Sequence, residues 1–253
     1  MIFQSALPYD VFAQRPLPGI MPLGDRPWFL VDDAYAGQMA YRRALVSEKP
    51  GAVLATANPG AKAQQEMLAD ILTQLPDGFV VSDTDVICPD GTRVALDRST
   101  PFLTLARILQ DDICLLEKRG DEHVLTGAAL CFPASWQLSE KIGHPLTHIH
   151  GPVSDYTDVM AKRVQRLFDG VRPGHALWRF NALWYDDPDL HQPRSVSAPR
   201  AITDQTRAPY LRSERQVIWR LPESGAVLFT IHTFVVPRAV LCPAPSQEAQ
   251  ITA

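Results

Sequence analysis

Three of the chain's seven histidines fall within the run His144-Pro145-Leu146-Thr147-His148-Ile149-His150-Gly151-Pro152-Val153. Neutral imidazole is the commonest metal ligand and the side chain most often recruited for proton transfer near neutral pH. The run therefore reads either as a metal or acid–base site or as surface and capping histidines. As a zinc site, His148 and His150 would need a third ligand from His144, His191 or Asp155. Both His-Glu-x-x-His and His-x-His-x-Asp-His are absent, since Asp155 lies too far beyond His150 for the second motif. That leaves a zinc hydrolase as a third-ranked reading. There is no Gly-x-Ser-x-Gly elbow for a serine hydrolase. Cys88, Cys114, Cys131 and Cys242 form no Cys-x-x-Cys pair, which removes the usual support for zinc ribbons, thioredoxin chemistry and self-contained iron–sulfur clusters. Neither Gly-x-Gly-x-x-Gly nor Gly-x-x-x-x-Gly-Lys-Ser/Thr occurs, so no nicotinamide or phosphate loop of the usual kind is expected.

Arginines supply the next candidates. Arg179 and Asn181 share one face of a strand by period-two alternation, Arg212 and Arg215 flank Glu214, and Arg220 follows. The guanidinium fork suits carboxylate or phosphate recognition, so arginines and histidines on one small scaffold point to a bound anionic cofactor. Surface ion pairs are the plain alternative. His232 interrupts the apolar, β-branched stretch Val227 to Val235 and shares a strand face with Leu228, Thr230 and Phe234. It is either a satisfied core histidine or a pocket residue.

These residues need elements to hold them. Asp32-Asp33 offers an N-cap for a helix through about Lys49, and Ala63, Met67, Ile71 and Leu75 mark a second helix from about Pro59. Strands are expected at Phe79 to Val81 and Val86 to Cys88, and a short helix from Pro101 to Gln110. A hairpin follows, with strands Ile113 to Leu116 and Val124 to Phe132, then one helical turn over Leu138 to Ile142. Pro145 and Pro152 make the histidine run a loop, and Ser154 to Phe168 a helix with a solvated basic face. Strands at Leu177 to Asn181, Gln216 to Leu221 and Ala226 to Val236 close an α+β pattern.

With 46% hydrophobic and 21% charged residues, the chain is ordinary globular material, and 253 residues can bury a sizeable core. A net charge of -4 argues against nucleic-acid binding. No apolar stretch is long enough to span a membrane, and no secretory leader pattern opens the sequence, so a cytoplasmic location is the default expectation.

From about Trp28 to Pro237 the chain resembles the haem-dependent oxidative N-demethylase family. The resemblance rests on the order and spacing of several segments. They are Phe132-Pro133-Ala134-Ser135-Trp136, Lys141-Ile142-Gly143-His144-Pro145-Leu146, Ile149-His150-Gly151-Pro152-Val153, Leu177-Trp178-Arg179-Phe180-Asn181, Tyr210-Leu211-Arg212-Ser213-Glu214-Arg215-Gln216 and Phe229-Thr230-Ile231-His232-Thr233. It implies a PAS-like antiparallel sheet flanked by helices, with a haem pocket between sheet and helices. One haem-binding domain would span 1–253, with an irregular N-terminal segment and a disordered tail from about 238. The implied activity is oxidative removal of a methyl group from a small secondary amine such as dimethylamine, using O2 and releasing formaldehyde. The resemblance also implies haem b with His150 as the iron ligand, and a reductase partner subunit that brings NADPH, FMN and a 2Fe–2S cluster. Arg179, Asn181, Arg212 and Arg215 are its expected cofactor-binding residues, and Glu214 and His232 the expected catalytic ones. His144 and His148 stay open as alternative ligands. Family members often carry arginine where this chain has His232, so a haem-based sensor or haem-binding protein without turnover is the alternative function.

Overall fold

The computed structural model describes residues 1–13, 19–58, 61–150, 158–198 and 203–242, with the side chains of 150 and 158–161 outside the description. Its centre is the hairpin of β9 (Tyr210–Arg220) and β10 (Val227–Pro237), paired over eleven positions around a turn in which Gly225 takes φ 70°. These strands read as near-continuous apolar or buried runs, the pattern of strands covered on both faces. Beside β9 lies β8 (Leu177–Tyr185), with the short β1 (Met21–Pro22) at its outer edge. On the other flank of β10 come β6 (Asp112–Arg119), β7 (Glu122–Ala129) and β2 (Leu54–Thr56). The full order is β1-β8-β9-β10-β6-β7-β2, antiparallel throughout. A separate three-stranded sheet joins β3 (Val80–Val81), β4 (Asp85–Ile87) and β5 (Arg93–Ala95).

Helices cover both faces of the large sheet. On the back face lie α1 (Tyr35–Glu48), α3 (Lys62–Thr73) and α4 (Pro101–Ala106), after the single turn α2 (Pro50–Val53). Met39, Met67, Leu68, Ile71 and Leu105 from these helices pack with Ile113, Leu115, Val217 and Leu228 in one core. Across the front face lie a 3-10 turn (Leu138–Glu140), α5 (Leu146–His150) and α6 (Asp158–Gly170). There Leu138, Leu146 and Phe168 pack with Cys114, Leu116, Ile218, Val227 and Ile231. The architecture is thus α+β, a large antiparallel sheet flanked by helices.

Several elements depart from the sequence expectation. The histidine run is not a loop: Pro145 precedes the first helical residue, a position that needs no amide donor, and α5 starts directly after it. Residues 151–157, including Asp155 and the expected start of the following helix, lie outside the described residues. β9 begins at Tyr210 rather than Gln216, and β8 runs on to Tyr185. Pro237 does not open a structureless tail at once, because α7 (Arg238–Leu241) follows; 243–253 lie outside the described residues. Asp32 accepts from the Ala34 amide but makes no cap bond to α1, since its carboxylate is engaged elsewhere.

The two faces meet tight steric limits. Gly127 on β7 lies under the ring of Phe102, and a Cβ there would stand 2.3 Å and 2.4 Å from two ring carbons. Gly127→Ala is therefore expected to lower the unfolding free energy by about 2 kcal/mol, in the range for overpacked cores. Phe102→Leu in the same chain should recover part of the loss. Urea denaturation of the two single variants and the double variant checks both expectations.

Candidate functional site

Register decides which polar side chains meet. Residues directly opposite each other in an antiparallel pair share a face, and successive residues alternate. Starting near the β9–β10 turn, the front face carries the apolar row Leu177, Ile218, Phe229 and Cys114. The next row is Arg179, Gln216 and Ile231, and the one beyond is Asn181, Glu214 and Thr233. Leu183, Arg212 and Val235 complete the series. A helix-covered apolar floor thus gives way to a patch of charged and amide groups.

Glu214 is the centre of that patch. Its Oε2 accepts from Asn181 Nδ2 at 3.2 Å and from Gln216 Nε2 at 3.1 Å. Its Oε1 lies 3.8 Å from Arg212 Nε, an ion-pair contact without a hydrogen bond, and the Glu214 side chain is only 12% exposed. The Nη atoms of Arg212 instead donate to the carbonyls of Phe132 and Leu190 at 2.7 and 3.0 Å. This anchors the Phe132 and Leu190 segments over the end of the patch. Arg179 is half-buried, and its Nε has no hydrogen-bond partner among the described residues. Burial pulls its pKa down, and the Glu214 carboxylate counters that. Arg212 Nε and Thr233 Oγ1 are likewise buried without hydrogen-bond partners among the described residues. Buried polar atoms of this kind cost free energy unless another group completes them.

The front face also receives the histidine run. Gly143 and His144 zip onto β7 through Gly143 N–H to Leu125 O and Leu125 N–H to His144 O, at 2.8 and 3.1 Å. α5 then lies with Leu146 and Ile149 in the front core, so the His150 backbone belongs to this side of the sheet. The imidazole of His150 lies outside the described residues. His144 and His148 stack on each other with ring centroids 4.0 Å apart. Among the described residues no group of three or more His, Cys, Asp or Glu side chains could hold a metal ion. α6 is fixed by Arg220, which donates to the carbonyls of Phe168 and Val171 at its C-terminal end, a favourable place for a cation. Ser135 at the rim has φ 67°, the one non-glycine with positive φ among the described residues, and its N–H donates to Gln192 O.

Arg215 and His232 face the other way. Opposite each other in the β9–β10 register, they share the back face. Arg215 donates to the carbonyls of Pro27 and Trp28, and its guanidinium lies over the Trp178 ring. His232 is fully buried, with Nδ1 3.1 Å from Asp111 Oδ2 and Nε2 3.0 Å from Asp32 Oδ2. Burial works against the charged ring, but the two carboxylates outweigh it and push its pKa up to about 9. A carboxylate oxygen faces each ring nitrogen, an arrangement that favours the doubly protonated imidazolium. Asp32 is held below the usual carboxylate range by His232, Gln110 and Gln4, against the opposing effect of burial. Position 232 thus holds a cation between two carboxylates.

Sequence alternation put Arg179 and Asn181 on one strand face, as the register does. Sequence reasoning missed Gln216, which alternation alone puts beside Glu214. It also missed Asp32 and Asp111 as partners of His232, because no short-range pattern links positions so far apart.

Sheet and helices together define an α+β protein whose large antiparallel sheet is flanked by helices and carries a polar patch around Glu214. The chain belongs to the haem-dependent oxidative N-demethylase, alpha subunit-like family, whose match covers residues 19–253. The family name implies haem dependence and, as an alpha subunit, a partner subunit. Among the described residues no helix is long and apolar enough to cross a membrane.

The His232 assignment has a pH signature. Its folded pKa lies above the unfolded value near 6.5, so the stabilisation is full below that value and is lost as pH rises through about 9. His232→Leu is expected to cost about 3 kcal/mol at pH 7, because two carboxylates lose their buried cation. His232→Arg should keep the charge and flatten the alkaline loss. Denaturant titrations between pH 6 and pH 10 measure both.

Proposed function

We propose that the protein is a haem-dependent oxidative N-demethylase of a small secondary amine such as dimethylamine. Glu214 carries this reading. A carboxylate sunk into a covered face, with one oxygen held by two neutral amides and the other 3.8 Å from Arg212 Nε with no hydrogen bond to it, keeps an acceptor position that suits a protonated amine. The ammonium of a secondary amine has two N–H groups to donate and a small apolar remainder that could rest on Ile231, one row from Glu214 on the same face. Charge-assisted bonds of this kind are about twice as strong as neutral ones. The family match supports the demethylase over a sensor without turnover.

The donor chemistry present suits a haem: the Nε of Arg179, buried without a hydrogen-bond partner among the described residues, would hold a propionate, on the same side of the sheet as the His150 backbone, in a PAS-like arrangement of sheet and helices. His150, at the end of α5, is our assigned iron ligand, with His144 and His148 the alternatives. When bound, the haem b supplies the activation of O2. The reaction balances as dimethylamine, dioxygen, two electrons and two protons giving methylamine, formaldehyde and water. A reductase partner with FMN and a 2Fe–2S cluster, fed by NADPH, delivers the electrons in the cytoplasm. Asn181 and Gln216 orient Glu214; Arg212 fastens the rim; α5 and α6 exclude water. Arg215 and His232 contribute from behind the sheet, by holding the strands that carry the patch.

Haem-reconstituted protein should show a Soret band that shifts on reduction and on carbon monoxide, and His150→Ala should abolish or sharply change it. With a competent reductase, dimethylamine should yield formaldehyde. Glu214→Gln should lower kcat/KM for dimethylamine about a hundredfold, chiefly through KM, since a neutral amide leaves the ammonium without its charge partner. Failure to take up haem would overturn the reading, and so would haem uptake without formaldehyde when electrons are supplied.

A further inference from the structure

We infer that Lys141 is the positioning residue for His150, fixing the peptide that presents its imidazole; this rests on the reading of His150 as the iron ligand. Lys141 is 5% exposed, and its Nζ donates to Ile149 O at 2.7 Å. That carbonyl belongs to the peptide unit whose N–H is the amide of His150. An ammonium bound there sets the tilt of the peptide plane from which the His150 side chain departs.

The surrounding geometry shows why such a tether is needed. α5 has five residues, and a helix this short does not persist on its own propensity. Its beginning is held: Pro145 bridges to Val124, and Thr147 Oγ1 donates to Glu122 Oε1. A cation is favourable at the carbonyl-bearing end of a helix. Lys141 reaches that end from the turn before it, where its own N–H bonds to Leu138 O and its C=O accepts from His144 N–H. The side chain therefore closes a bracket across the histidine run.

Packing alone does not account for a lysine at this place. Burying an ammonium costs more than burying a methionine or leucine of similar size, and the cost is met only by a specific acceptor. The neighbouring carboxylate, Glu140, is engaged by Ser195 Oγ at 2.6 Å and Val196 N–H at 3.1 Å. The ammonium is directed to the Ile149 carbonyl. Groups that orient a metal ligand from behind typically matter about 10–100-fold in metal affinity when removed.

The test compares haem-loaded wild type, Lys141→Met, Lys141→Arg and His150→Ala by resonance Raman of the ferrous iron–histidine stretch and by haem titration. Lys141→Met is expected to broaden the stretch and to weaken haem binding about tenfold or more. Lys141→Arg, which keeps a donor with a larger planar head, should give one narrow but displaced band. An unchanged band in both variants, with the band lost in His150→Ala, overturns the positioning role and leaves the ligand assignment intact. A band that survives in His150→Ala overturns the ligand assignment itself. If Lys141→Met does not accumulate as folded protein, Lys141→Arg decides alone: a displaced band supports the role and an unchanged one overturns it.

Discussion

A strand buried on both faces cannot send a polar side chain to water, and β9 and β10 are such strands. Every charged or amide group on them must find its partner inside the protein. The opposed pair Arg215 and His232 does so on the back face, through the Pro27 and Trp28 carbonyls and through Asp32 and Asp111. This ties the residues before α1 and the turn before β6 to the middle of the sheet. The network extends through Gln4, Gln38 and Gln110, which bond to Asp32, to one another and to the Thr233 carbonyl. Low local dielectric makes a completed network of this kind rigid and an incomplete one costly.

On the front face the same constraint is met only in part. Glu214 has its two amides, but Arg179 Nε, Arg212 Nε and Thr233 Oγ1 stay without hydrogen-bond partners among the described residues. The back face is not fully satisfied either, since Asp111 Oδ1 and Trp178 Nε1 are buried without hydrogen-bond partners among the described residues. The two faces differ instead in kind: the back holds a cation between two carboxylates, and the front a carboxylate among amides and arginines.

Much of this was legible in the sequence where the signal is local. The hairpin of β6 and β7, the helix carrying Met67 and Ile71, and the shared face of Arg179 and Asn181 all follow from short periodicities. The ordered segments around His150, Glu214 and His232 carried the family resemblance. What was not legible depends on register and on distant partners. Listing Arg212 and Arg215 together ignores that adjacent parities face opposite ways, which becomes decisive only once both faces are known to be covered. His232 looked like an oddity in an apolar strand because Asp32 and Asp111 are brought to it by the fold. The short α5 was hidden by Pro145, whose role as a helix starter rather than a breaker depends on the turn that precedes it.

The imidazolium between Asp32 and Asp111 also bears on how this position can change over generations. Histidine and arginine codons interconvert by a single base substitution, and both residues supply a cation to the same two carboxylates. Exchange between them therefore crosses no unstable intermediate. A neutral residue would strand two buried charges, so it becomes accessible only after the acids themselves have been replaced. The identity of position 232 is therefore tied through charge to those of positions 32 and 111, far away in the sequence.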